Sequence, residues 1–223
     1  MKYLPGAAGG TRVIPLLGVL LSGCSGLFHS TTPPAQTYYL RAPITSTAAP
    51  PAATPAGASV SLRVEPPIAG PGLDTARILL VQADHRMNFY AASRWPAPAP
   101  QLIEALVVET LRASGTWSSV QDATSAFPAQ YLLQITMRRF DADYSGGALP
   151  EVHVVFDCTL GRREGHEVIA SFVVQGTASA AADRMGDVVT AFEQATGAAL
   201  TSLSQQAGEA LRERAEHAAP SER

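Results

Sequence analysis

Apolar and polar residues alternate cleanly in two late stretches of the chain. In EVHVVFDCTLGR (151–162), Val152, Val154, Phe156, Cys158 and Leu160 fall on one side. In HEVIASFVVQGTA (166–178), Val168, Ala170, Phe172 and Val174 do the same. A period of two is that of a strand with one buried face. The REG between them contains Gly165 and predicts a compact antiparallel connection. QYLLQITMRRFDADY (130–144) and the short TWSSVQ (116–121) are also strand-like. VSLRVEP places Val60, Leu62 and Val64 on one face. RILLVQ (77–82) and MNFYAAS (87–93) flank the polar ADHR, which predicts a second hairpin.

The period changes in two places. From Pro98 to Ala113, Leu102, Ile103, Leu106, Val107, Thr110 and Leu111 recur at helical spacing, and Gly115 follows as a stop. Later, Asp183 is placed to cap a long helix with Met185, Val188, Val189, Phe192, Ala195, Ala199 and Leu203 on one stripe. Residues 208–223 are expected as a charged tail, of which RERAEHAAPSER (212–223) is expected to fray. The order strands, helix, strands, helix predicts an α+β fold of two layers. An antiparallel or mixed sheet carries two main amphipathic helices on one face. The pattern leaves the strand order open.

The folded domain is expected over 59–207. Before it, TYYLR (37–41) reads as a first strand, and 14 of the 17 residues in 42–58 are Ala, Pro or Thr. Such a stretch can neither bury a core nor hold a helix, so it is expected as a loop between strands. SGLFHSTTPPAQ, after Cys24, is polar and Pro-containing and reads as a tether with a reach of about 20 Å. Residues 24–58 thus form tether, short strand and loop.

Residues 1–23 differ again. Lys2 and Arg12 precede the apolar run VIPLLGVLL (13–21), and no acidic residue occurs among them. A basic start, a short apolar run and small residues at its end make a secretory signal peptide. The run is too short to span a bilayer as a helix. Leu-Ser-Gly-Cys (21–24) resembles a bacterial lipobox. That resemblance implies a diacylglycerol thioether on Cys24, cleavage before it and acylation of the new amine. Several acyl chains on one residue hold a protein firmly to a membrane, where a single chain does so only marginally. Ser25, in place of the Asp that retains lipoproteins in the inner membrane, implies the periplasmic face of the outer membrane.

Net charge is −3, without a basic run, which argues against nucleic acid as a partner. Cys158 is the other cysteine; with Cys24 acylated, no intrachain disulfide can form. Cys158 sits on the apolar face of its strand, where an inert buried thiol is expected. HEVIA (166–170) lacks the second histidine of a zinc-protease motif. His153 and Asp157 share the polar face of their strand and read as solvated. Asp141/Asp143 and Asp84/His85 are expected in or beside turns. No nucleophile elbow, phosphate loop or dinucleotide fingerprint is present. No catalytic residue, metal or cofactor is expected beyond the covalent lipid on Cys24.

The most informative internal stretch is NFYAASRWPAPAPQLIEALVVETL (88–111). A strand ends at Arg94-Trp95, and a Pro-rich turn delivers the chain into a helix whose first turn tolerates Pro98 or Pro100. Trp95 is expected either to anchor this corner or to touch a partner. Together with the lipobox, the early YYL, the V-x-L-x-V-x-P-P strand (60–67) and the closing helix, this resembles the auxiliary lipoprotein component of ABC-type transport systems, the PqiC-like family. Its strand before the first helix reads roughly aromatic-x-x-x-x-W-A-x-P-P. Tyr90, Trp95, Pro96 and Pro98 stand in that region, with Pro96 in place of the usual small residue. The Ala/Pro stretch is longer than the family pattern.

The resemblance implies a non-catalytic periplasmic accessory of an Mce-type lipid-trafficking assembly. Its partners would be an Mce-domain protein and ABC transporter components, with self-association possible in principle. A structural envelope lipoprotein, aiding outer-membrane assembly or binding the cell wall, and a module that itself binds lipid are the alternatives. The lipobox reading predicts that Cys24→Ser leaves an unprocessed precursor without acyl mass. Mass spectrometry of the N-terminal peptide checks it, and an unlipidated wild-type Cys24 would refute the reading.

Overall fold

In a computed structural model, the structure describes residues 34–41 and 60–218. The signal segment, Cys24, Ser25 and the Ala/Pro-rich stretch lie outside the described residues. One sheet is built from β1 (Gln36–Thr37), β2 (Ser61–Val64), β3 (Ile68–Ala69), β4 (Arg77–Val81), β5 (Met87–Arg94), β6 (Ser119–Gln121), β7 (Tyr131–Asp143), β8 (Glu151–Arg162) and β9 (Glu167–Ser179). The helices are α1 (Ala99–Ala113) and α2 (Met185–Ala218).

β7 is the hub. One of its edges pairs antiparallel with β8 along its whole length, and β8 pairs in turn with β9. Its other edge is shared by three short segments, all parallel to it. β2 pairs at 131–133, β3 at 136–137 and β4 at 142–143. The chain from Leu62 to Val81 therefore runs beside β7 as one interrupted strand. β6 adds to β2, and β5 then β1 add to β4. The sheet is mixed, and both helices pack on one face of it, as the alternation predicts.

Two bulges reset that alternation. Leu133, Ile135 and Met137 point inward, an extra residue follows at Arg138, and Phe140 and Ala142 then continue the buried face. A second irregularity lies between Leu160 and Gly161, where Val168 pairs with Gly161 and Ala170 with Leu160. The extra residue in β9 turns Ile169 toward the core and leaves Val168 62% exposed. Val168 thus does not join Phe172 and Val174 on the inner face. A bulge exchanges inside for outside beyond it.

Other boundaries also shift. The first strand is only Gln36–Thr37, although Tyr38 N–H still donates to Arg94 O at 2.9 Å and Leu40 enters the core. β6 starts at Ser119, and Trp117 before it is buried against Tyr131. Residues 208–218 do not fray but continue α2. Ala210 is buried, and Arg214 pairs with Glu167 at 2.8 Å.

α2 lies across β8 and β9, and its central stripe is small: Ala191, Ala195 and Ala199 are all buried. Opposite it stands Gly176 of β9, where a Cβ would fall 1.9 Å from the carbonyl oxygen of Ala195. The helix backbone rests on the strand there because neither side presents a bulky chain. We expect Gly176→Ala to lower the unfolding free energy by about 3 kcal/mol, the upper end of overpacking costs. Gly165→Ala, in the β8–β9 turn at φ +77° with open space around it, should cost only about 1 kcal/mol. Urea midpoints of the two variants test the ordering, and equal costs would contradict the close seating of α2.

Candidate functional site

The corner between β5 and α1 is fixed by main-chain bonds. Trp95 N–H donates to Ala76 O at 2.7 Å, and Ala99 N–H to Thr75 O at 3.0 Å. Pro98 is the N-cap of α1 with φ −51° and ψ 142°, and Pro100 sits in the first turn, where no N–H is needed. Pro96 is exposed and Pro98 half-buried. Trp95 is 1% exposed. Its ring lies 6.0 Å from Phe140 of β7 and 5.3 Å, edge-on, from Phe192 of α2, and those two rings are 5.0 Å apart. Trp95 therefore joins corner, sheet and helix within the core and offers no indole surface to a partner.

Tyr90 has a different setting. The register of β4 on β5 passes from Arg77↔Arg94 to Leu79↔Phe89, so β5 carries extra residues between them. Ala92 takes the left-handed conformation there, at φ +48°. Tyr90, in this bulge, is half-buried, and its hydroxyl is 2.9 Å from that of Tyr144. Tyr144 in turn donates to Asp183 at 2.7 Å. Burial, and then the bond to Tyr144, push the Tyr90 phenol well above its ordinary pKa. Asp183 serves this tyrosine pair across two elements and is not the helix cap expected of it. α2 begins after Arg184, which pairs with Asp187.

On the polar face of the long strands β7 and β8 the charges are held in pairs. Asp141 lies within β7, away from a turn, whereas Asp143 ends the strand beside one and accepts from Ser145 N–H at 2.8 Å; both accept from Arg139, at 2.7 and 2.9 Å. Burial works to raise the Asp143 carboxyl, but bonds from Ser145 and Arg139 outweigh it and hold it below the usual carboxylate range. Asp157 pairs with Arg138, and His153 lies 3.3 Å from Glu151. Asp84 does lie in a turn, paired with Arg86, beside His85 at φ +63°. Burial, with Asp157 nearby, pushes the Cys158 thiol up to about 12, so it is protonated at neutral pH. No three His, Cys, Asp or Glu side chains among the described residues gather to hold a metal. An open hollow of about 540 Å³ between Val60, Tyr131 and the β8–β9 turn is lined by Gln130, Arg162, Arg163 and Glu164, without a nucleophile–base pair. No helix among the described residues is long and apolar enough to cross a membrane.

The described chain enters the domain at the β1 edge. Tyr38 and Leu40 turn inward there, while Thr37, Tyr39 and Arg41 are exposed. Sequence reading placed a strand here but attached no role to these side chains. Their neighbours Arg77 and Arg94 come from strands more than thirty residues away, so only the fold assembles the group.

Residues 38–206 match the family described as ABC-type transport auxiliary lipoprotein component. The chain belongs to this family. A crystal structure of a Xanthomonas campestris protein of the DUF330 family superposes with a TM-score of 0.71 at 26% identity, covering 82% of this chain and 99% of that one. Another solved structure, of an uncharacterised protein, shares the fold at a TM-score of 0.53 and 14% identity, covering 80% and 99%. The comparison with curated proteins gave no match. Membership makes the protein a lipoprotein-family component associated with ABC-type transport, and V-x-L-x-V, the Trp95 corner and the closing helix all fall inside the matched span.

The core position of Trp95 has a direct consequence. Trp95→Ala should destabilise the domain by about 4 kcal/mol, as large-to-small changes of buried aromatic residues do. Denaturant unfolding measures it, and a loss under 1 kcal/mol would be incompatible with a ring enclosed by Phe140 and Phe192.

Proposed function

We propose that this protein is a lipid-anchored, non-catalytic periplasmic accessory of an ABC transporter that works with an Mce-domain protein in moving lipids between membranes. The match of residues 38–206 to the auxiliary lipoprotein family carries this reading. The lipobox at Cys24 supports it by offering an anchor, and Ser25, in place of Asp, favours the outer membrane for that anchor. A short tether raises the effective concentration of a membrane-bound partner, so modest contacts suffice for docking. The job requires no bond chemistry, and the polar groups described above are engaged with one another. Self-association belongs to the same reading. β9 pairs with β8 alone among the described residues, leaving an edge of 13 residues available to a second copy.

Affinity capture of the native lipoprotein from detergent-solubilised envelopes is expected to recover an Mce-domain protein and ABC components. Recovery of peptidoglycan or a β-barrel protein in their place would support a structural envelope role and overturn this assignment.

A further inference from the structure

Arg77 of β4 and Arg94 of β5 are paired directly in register. Like charges directly opposite on neighbouring strands repel. The Arg94 guanidinium donates to the main-chain oxygen of Trp95 at 3.4 Å, but among the described residues no ion pair with a carboxylate involves Arg41, Arg77 or Arg94. Glu193 of α2 reaches this edge but accepts from the main-chain N–H of Arg41, at 3.0 Å. The Arg77 guanidinium is stacked 3.8 Å above the ring of Phe89, which holds it in place while leaving its other side open. Thr37 of β1 lies in register with Arg94, and from Thr37 the exposed positions continue to Tyr39, 71% exposed, and Arg41. Two paired arginines thus stand next to the exposed segment carrying Tyr39 and Arg41, at one edge of a protein whose net charge is −3.

This is also the edge the tether enters. No Asp or Glu occurs in the chain before Glu65, so the tether adds no negative charge. Eleven residues, 24–34, separate Cys24 from the domain, and a flexible chain of that length reaches about 18 Å r.m.s., a span that would hold β1 near the headgroups with Cys24 embedded. Guanidinium groups bind phosphate oxygens in bidentate fashion, and tyrosine favours the headgroup level of a bilayer.

The geometry points to a membrane-docking face: Tyr39, Arg41, Arg77 and Arg94 seat on the anionic phospholipid phosphates of the leaflet that holds the anchor. The inference rests on the anchored-lipoprotein reading above. It deepens that reading by giving the domain an orientation, with α1 and α2, on the opposite face of the sheet, turned away from the bilayer toward partners. Phosphates lying between Arg77 and Arg94 relieve the repulsion of the pair.

The test uses residues 24–223 with Cys24→Ser, so that no acyl chain contributes, and co-sedimentation with vesicles. Binding is expected to phosphatidylcholine vesicles containing 30% phosphatidylglycerol, and to be lost with pure phosphatidylcholine or in 0.5 M salt. This comparison needs no change to the domain. Arg77→Gln with Arg94→Gln should lower partitioning by roughly twenty-five-fold, about fivefold per arginine, at an unchanged melting temperature. Equal partitioning into both vesicle types overturns the inference. So does a double variant that binds vesicles like the parent, including one that instead loses an acidic protein in envelope captures. The anchored reading fails separately, if native Cys24 carries no lipid by mass spectrometry, and that result leaves the vesicle measurement standing.

Discussion

β7 must satisfy two different edges at once, and most of the architecture follows from how it does so. On one side a single long partner, β8, takes up its hydrogen bonds in antiparallel register. On the other side the bonds are divided among β2, β3 and β4, all parallel to it. A parallel neighbour cannot be reached by a tight turn, so the chain needs long connections between these segments and β7. α1 and β6 occupy that connection, which is how the first helix comes to lie on the same sheet face as the second. The bulge at Arg138 falls within this strand, directly after the residues where β3 pairs, and restores the buried face for Phe140 and Ala142.

The helix layer depends on close approach as much as on apolar area. α2 presents alanines where it crosses the sheet, and Gly176 lets its backbone come into contact with β9. Larger side chains work at its N-terminal third, where Phe192 meets Trp95 and Phe140. That aromatic group connects the β5–α1 corner to both layers. Displacing the corner would therefore disturb the helix and the central strand together. The tyrosine pair Tyr90–Tyr144, bound to Asp183, makes a second, polar link between the bulged part of β5, the end of β7 and the approach to α2.

These features suit a protein whose function is relational. Its thiol is buried and protonated, the buried carboxylates Asp141 and Asp143 are paired with Arg139, and its tryptophan corner is internal. What remains open to the surroundings is edges: β9 on one side of the sheet, and on the other the arginines beside the point where the tether arrives. An auxiliary component of a transport system has use for such open edges.

The chain by itself determined its sites of local consequence. The period-two stretches of β8 and β9, the helical stripes of α1 and α2 and the family resemblance were all readable, because each depends on neighbours within a few residues. The Trp95 corner was readable as a turn but not as a core element, since burial of the indole requires Phe140 and Phe192 from distant segments. Val168 was assigned to the wrong face because a bulge has no signature in hydrophobic alternation. The charged end of α2 looked free because its partner, Glu167, is 47 residues away. Tertiary structure alone decided the strand order, the hub role of β7 and the pairing of Arg77 with Arg94. The physical reason is common to all three: hydrogen bonds between strands carry no side-chain code, so which strands become neighbours depends on how the whole sheet closes over its helices.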